Sequence, residues 1–563
     1  MTRVHIRRPG VLSSLSASLP RLGYAGSRSA LLHIDPGADD QPRSGRLGVR
    51  ELNRFQVLRW IGTIGALLIG LGALGAGALP VVGNPYSSFP GGTFMSRMLQ
   101  TSSIMVLVGV GLLVLAWVCM GPFVGAPYRG TAPGQATVTS SLIKRTFAAW
   151  VLPILFTAPL FTQDIYSYLA QGAIVARGMD PYAAGPVDLL GPEDPLARSV
   201  PFIWSHSPSP YGPVALGLAS VISRVTADSI IMGVIGHRLI SLLGLIAAGW
   251  AISRLARRCR VNPVTALWLG MLNPLTILHL IGGIHNESIL LGLMLVGMEL
   301  GLRGVDKLGG RNGQPVDTSA GAGLVVASAV LIACAGMVKV TGFLALGFVG
   351  MNLARHLVRV GRGPVSAIAT AIAVQVVLLV ATIAAVTAAT GIGLGWVTGQ
   401  GGAASIRSWL SMTTDIGVVT GFIGMLLGLG DHTDAMLSVT RTVGVLIAAG
   451  FLVRMLFATF RGTIHPVGGL GVATFVLVIL FPVVHPWYML WAIVPLAAWA
   501  NRFLFRVAVV AYSTFFSFTV LPRGLSLPPA TVGTIYLGST LALSVVIALG
   551  WWLMRRRAAR GLH

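Results

Sequence analysis

Phe161-Thr162-Gln163-Asp164-Ile165-Tyr166-Ser167-Tyr168 closes the third long apolar run of the chain, and the rest is read outward from it. The run, about 146–162, approaches the ~20 apolar residues that a bilayer span needs, and it surfaces at a carboxylate. An acid at the lip of a span loses hydration unless something compensates, so such placements are usually functional. Tyr166 and Tyr168 favour the membrane–water boundary, and their rings also stack on polar, ring-shaped ligands. Position alone leaves Asp164 divided between a helix-end cap or structural ion pair and a functional acid.

Composition extends the membrane reading to the whole chain. Of 563 residues, 54% are hydrophobic and only 10% charged, with a mean hydropathy of +0.79. A soluble domain carries about 25% charged residues, so an all-α polytopic membrane protein is expected. The 71 glycines suit helices packed closely in lipid. Barrel-type alternating strands are absent from the pattern. The net charge of +23 would raise nucleic-acid binding in a soluble protein. Here the arginines cluster between apolar runs, as in cytoplasmic loops facing anionic membrane lipids, so no nucleic-acid partner is expected. Cys119, Cys259 and Cys334 show neither disulfide nor zinc spacing.

The placement of Lys and Arg orients the spans. Residues 1–55, polar and rich in Arg, Ser, Gly and Pro, read as a disordered cytoplasmic extension without the pattern of a signal peptide. Residues 56–554 read as one membrane domain and 555–563 as a basic cytoplasmic tail. Within the domain, apolar runs alternate from 58–80 to 533–553 and give about 14 spans. The stretch 321–354 reads as two spans hinged near Lys339-Val340-Thr341-Gly342, and residues 165–177 as an amphipathic helix lying along the membrane. Two long polar segments, 164–229 and 393–435, fall outside the cytoplasm, while basic clusters such as Arg254–Arg260 and Arg355–Arg362 fall inside. Polar chemistry is therefore expected on the outer face and cations on the inner.

Among outer carboxylates, Asp164 and Glu287 stand apart because each adjoins a span with few other polar groups. His285-Asn286-Glu287 reads first as a tight turn, with metal coordination or holding hydroxyls as the lesser alternatives, and His485-Pro486-Trp487-Tyr488 reads as a hairpin tip with an aromatic anchor. No HxxxH or DxD pair appears, so neither metal nor cofactor is expected. His237-Arg238, Lys339, Arg407 and Arg441 form the outer minority of basic residues. Each suits snorkelling or a buried ion pair, and equally a lipid phosphate.

The stretches Asp164–Gln171, Asp180-Pro181-Tyr182, Pro210-Tyr211-Gly212-Pro213, His237-Arg238-Leu239, Gly283–Glu287, Gly428–Thr433 and Pro486-Trp487-Tyr488 occur in one order over nearly the whole chain after the extension. In this the sequence resembles the α-(1→6)-mannopyranosyltransferases of mycobacteria and corynebacteria that build the mannan of lipomannan and lipoarabinomannan. The pattern is most similar to the enzyme laying down the proximal mannan. The resemblance implies a GT-C glycosyltransferase bundle with long extracytoplasmic loops, a site on the outer face of the plasma membrane, and polyprenyl-phosphate mannose as donor to a lipid-anchored mannan acceptor. It matches Asp164 to the family's catalytic acid, with a β-linked donor and an α-linked product. Tyr166, Tyr168, Tyr182, His206, Tyr211, His237, Arg238, His285, Asn286, Glu287, Lys339, Arg407, His485 and Trp487 are then expected to bind substrate. Another GT-C transferase, such as an arabinofuranosyltransferase, is the near alternative. A lipid-linked-sugar flippase is the distant one, since no internal repeat is evident.

Overall fold

A computed structural model describes residues 49–128, 134–310, 315–399 and 407–559. Most of the expected N-terminal extension and the end of the basic tail lie outside the described residues. The first helix, α1 (Val49–Ala76), begins inside the stretch expected to be disordered, with Glu51 in its first turn. The chain continues through α2 (Leu99–Cys119), α3 (Ser140–Leu155), α4 (Asp164–Ala176), α5 (Pro213–Thr226), α6 (Ile230–Arg258) and α7 (Pro263–Gly270). After a π-helical turn, Thr276–Gly282, come α8 (Glu287–Leu308), α9 (Thr318–Gly336), α10 (Leu344–Arg359) and α11 (Pro364–Thr390). The last six are α12 (Met412–Leu426), α13 (Thr433–Arg461), α14 (Pro466–Leu480), α15 (Leu490–Ala497), α16 (Phe503–Phe516) and α17 (Pro529–Ala559). Among the described residues the one β pairing is an isolated bridge between Val124 and Ala136.

Nine of the described helices are long and apolar enough to cross a membrane, and five more are apolar but shorter. The expected figure of about 14 spans is therefore not reproduced as a set of full-length crossings. Helices meet where side chains vanish. A Cβ on Gly65 would sit 2.6 Å from the carbonyl of Gly109, and α6 and α8 approach the same way at Gly244 and Gly292. Trp117 and Trp268 donate their indole N–H groups to each other's carbonyls at 3.0 and 2.9 Å, clamping α2 to α7.

Four local expectations change. The third apolar run is helical only to Leu155, where Pro153 weakens the last turn, and residues 156–163 run irregularly through the protein. Such backbone is tolerated at membrane depth only when protein satisfies it. The run 263–283 breaks between α7 and the π turn. The helix expected to lie along the membrane exists as α4, but Ile165 through Val175 are all buried against α5 and α6. Finally, the outer segment 393–435 contains α12, an apolar helix paired with α13.

The bundle has two distinct ends. Arg258, Asp306, Arg355 and His465 gather around a cavity at one end, where α6, α8, α10 and α13 finish. At the other end α4 and α8 begin, α9 gives way to α10 at Lys339, and Pro486 follows α14. About 43 Å of α6 separates its two termini.

Candidate active site

Asp164 opens α4 directly after the irregular segment. Phe161, three residues earlier, adopts φ +68°, and Ile284, just before His285, adopts φ +58°. Bulky residues in the left-handed region are strained and persist only when their surroundings enforce them, which is common at functional sites. Part of the enforcement is visible: Phe161 donates its N–H to the Pro522 carbonyl at 2.7 Å, and Gly524 closes on Thr162 so tightly that a Cβ would lie 2.7 Å from the Thr162 nitrogen.

Arg238 supplies the rest. Its fully buried guanidinium donates to the carbonyls of Leu155 (3.0 Å), Thr157 (2.6 Å), Ala158 (3.3 Å) and Ile281 (3.1 Å). These are the carbonyls left without helical partners where α3 ends and the π turn closes. The expectation that Arg238 contacts a phosphate is therefore corrected: its donors are committed to backbone, beneath the cleft rather than in it.

The Asp164 side chain keeps 26% of its surface exposed. Oδ1 accepts the Trp204 indole N–H at 3.1 Å, and the Asp164 N–H donates to Thr162 Oγ1 at 3.2 Å. Burial of the carboxyl raises its pKa above the usual carboxylate value; side-chain hydrogen bonding from Trp204 and from the Thr162 hydroxyl, with the charge of Lys339, opposes this, and the charge of Glu287 adds to it. His285 Nδ1 lies 3.7 Å from Oδ2. Burial, with His485 and Lys339 nearby, holds His285 well below its ordinary pKa, so this contact sets a neutral imidazole beside a carboxylate. His485 is likewise pushed down to about 4, by burial first and Lys339 second.

The second acid of the cleft is spoken for. Glu287 Oε1 accepts Lys339 Nζ at 2.7 Å, and the same ammonium rests 4.0 Å from the Tyr488 ring centre and 4.7 Å from that of Trp491. Lys339 sits in the break between α9 and α10, as its expected hinge position requires. Trp487 stacks on His285 (4.1 Å), His485 (4.6 Å) and His279 (4.8 Å), which leaves little of its face for a ligand. Tyr168 and Tyr211 pair edge to face, with their hydroxyls 3.2 Å apart.

Asp164, Tyr168, Tyr211, His285, Glu287, Lys339, His485 and Trp487 thus converge from five separated stretches. Asn286 is buried at the start of α8, and His237 lies under Tyr168 with Nδ1 against the Gly233 carbonyl at 2.9 Å. Others stand apart from Asp164. Tyr166 donates to the Ala78 carbonyl in the core, and Tyr182 donates to the Tyr211 carbonyl from behind. His206 pairs with Asp188 on an exposed loop, and Arg407 pairs with Asp434. Sequence reasoning missed Trp204, His279, Tyr488 and Trp491 as cleft residues. Tyr488 and Trp491 carried a signal, since a spacing of three puts both rings on one helical face. Trp204 carried none, because a long polar segment does not reveal which carboxylate its indole will meet.

Residues 59–355 match the family model described as "Alpha-(1->6)-mannopyranosyltransferase, N-terminal domain", and residues 413–548 match "MptB C-terminal domain". The chain is 61% identical to alpha-(1->6)-mannopyranosyltransferase B of Corynebacterium glutamicum, over 99% of this chain and 95% of that protein. It is 41% identical to an alpha-(1->6)-mannopyranosyltransferase of Mycobacterium tuberculosis over 84% of this chain and 83% of the relative. Alpha-(1->6)-mannopyranosyltransferase A of the same organism is 33% identical over 82% and 84%. No solved structure matches. Full-length likeness to these proteins makes the chain a member of the α-(1→6)-mannopyranosyltransferase family.

Proposed function

We propose that this protein transfers mannose from polyprenyl-phosphate mannose to the 6-hydroxyl of an α-(1→6)-mannan acceptor, on the extracytoplasmic face of the plasma membrane, within a GT-C architecture. The observation that carries the reading is the unequal state of two neighbouring carboxylates. Glu287 is ion-paired to Lys339, whereas Asp164 accepts only neutral donors and remains accessible.

One unpaired carboxylate suits a single inverting displacement. The acceptor oxygen attacks C1 of the β-linked donor, the C1–O bond to phosphate breaks, and the product is α-linked. The hydroxyl proton passes to Asp164, and polyprenyl phosphate departs with the bonding pair. A raised pKa makes the carboxylate a stronger base for that proton, a role worth typically ~10²–10⁴-fold in rate. A second acid, as glycosidases need, has no task here.

The test incubates purified protein with radiolabelled polyprenyl-phosphate mannose and short α-(1→6)-mannosides. Elongated product together with acceptor-dependent release of lipid phosphate is expected. Movement of intact glycolipid across proteoliposomes, without cleavage, would instead identify a flippase.

A further inference from the structure

The transfer chemistry sits at one end of the bundle, and the other end holds a polar cavity that it does not use. This cavity has a volume of about 210 Å³ and is lined from α6, α8 and α10 and from the turn between α13 and α14. It has room for more than a single water, whose share of the liquid is ~30 Å³. Roughly 30 Å of α6 separates Arg258, in its wall, from Arg238 beneath the Asp164 cleft.

Its donors are fixed from behind. Arg258 donates Nε and Nη2 to Glu299 at 3.3 and 3.5 Å and Nη1 to Asp306, which engages three of its five N–H groups and both acids. On α10, Asn352 and Arg355 stand three residues apart and share a face. The Arg355 guanidinium lies against Gly462, the residue that ends α13 at φ +74°; a Cβ there would fall 2.0 Å from its Cζ. Glycine at that turn thus lets the cation rest in the cavity wall. His465 Nδ1 accepts the Val467 N–H at 3.3 Å, so its neutral ring carries the proton on Nε2 and donates from there. The one carboxylate in the lining, Asp306, already holds Arg258. The surrounding charge has the same sign as the donors: Arg257, Arg303, Arg359 and Arg461 stand near the ends of the same helices, where the described acids are Glu299 and Asp306. Donors in a positive field select an oxyanion, and the guanidinium fork matches two phosphate oxygens. Basic pockets between membrane helices characteristically take phosphorylated headgroups.

We propose that this cavity binds a phosphate group of net negative charge, presented by an anionic phospholipid headgroup or by a small soluble phosphate ester. Arg355 is its principal cation, and Arg258, Asn352 and His465 supply further donors. The proposal is independent of the donor and acceptor used at Asp164. A phosphate held there joins α6, α10 and the start of α14, so its binding reads out as stability of the fold.

The full chain, purified in a neutral detergent, is titrated with phosphatidylglycerol, with glycerol 3-phosphate and with phosphatidylcholine while thermal unfolding is followed. Phosphatidylglycerol should raise the melting temperature by about 3 °C near saturation. The same rise with glycerol 3-phosphate identifies a soluble ester as sufficient; a rise with phosphatidylglycerol alone identifies a lipid headgroup. Arg355→Gln should raise the half-saturating concentration about ten-fold or more, with partial recovery in Arg355→Lys. Arg359→Gln removes an equal charge from an exposed position one turn further along α10 and should leave the titration unchanged. An equal rise with phosphatidylcholine, no rise with either anionic ligand, or an equal loss in Arg359→Gln overturns the proposal. A measurement on the wild-type protein covers the case in which Arg355→Gln does not fold. The ligand that raises the melting temperature should slow hydrogen exchange at the amides between Gly462 and Val467, and slowing confined to other segments overturns the assignment as well.

Discussion

Both ends of the bundle contain acids and bases at close range, yet they are built for different ends. At one, Arg258 contacts both Glu299 (3.3 Å) and Asp306, closing α6 onto α8, and every charge in that trio has a charged partner. At the other, Glu287 and Lys339 neutralise each other inside an aromatic wall, while Asp164 is held by an indole N–H and a neutral imidazole. Ion pairing at the first end fastens helices. Ion pairing at the second joins one acid to one base, so a single carboxylate without a cationic partner is left. The number of acids in a region is thus a poor guide to chemistry; the number left without a cation is a better one.

The comparison breaks first at Asp164. Asp164→Asn should lower mannosyl transfer by ~10²–10⁴-fold or more while thermal unfolding in detergent stays close to wild type. Retained activity would move the base elsewhere. Glu287→Gln comes next and tests the neutralised pair. It strands a half-buried ammonium, and loss of one partner of a buried pair costs about 3–5 kcal/mol, with the lower figure apt because Lys339 is 22% exposed. Adding Lys339→Met should restore much of the lost stability, because both charges are then gone, and a double-mutant cycle reads the coupling. Strict additivity would mean that the pair does not act as a unit.

The smallest effect sharpens the picture most. Trp204→Phe removes a hydrogen bond that favours the ionised form of Asp164, so its pKa should climb further. Transfer needs the carboxylate, so activity falls as pH drops through that pKa. The acidic limb of the pH–rate profile should therefore move to higher pH, with the plateau rate reduced far less than in Asp164→Asn. A fixed acidic limb would detach the profile from Asp164.

Hydrophobic runs made the membrane class legible, because a bilayer imposes a length that few other environments do. The break at Lys339 was legible for the same reason: a run too long for one span must fold back. The motif residues His285 and Glu287, and His485 and Trp487, were each at home in a turn, and only the fold shows that the two turns share one cleft. Runs interrupted inside the protein were not legible. α3 stops short, the π turn interrupts its run, and α12 lies within a segment that reads as a loop, because buried irregular backbone depends on partners distant in sequence. Arg238 illustrates the point: its charge invited a phosphate, while its four acceptors lie 43 to 83 residues away.

That arginine ties two things at once. Leu155, Thr157 and Ala158 lead into Asp164, and Ile281 leads into His285, so one guanidinium grips the roots of both branches. The spacing of acid and imidazole is consequently fixed from below the cleft, by a side chain that need never meet the sugar. Changes along the rim can then leave the spacing of Asp164 and His285 in place.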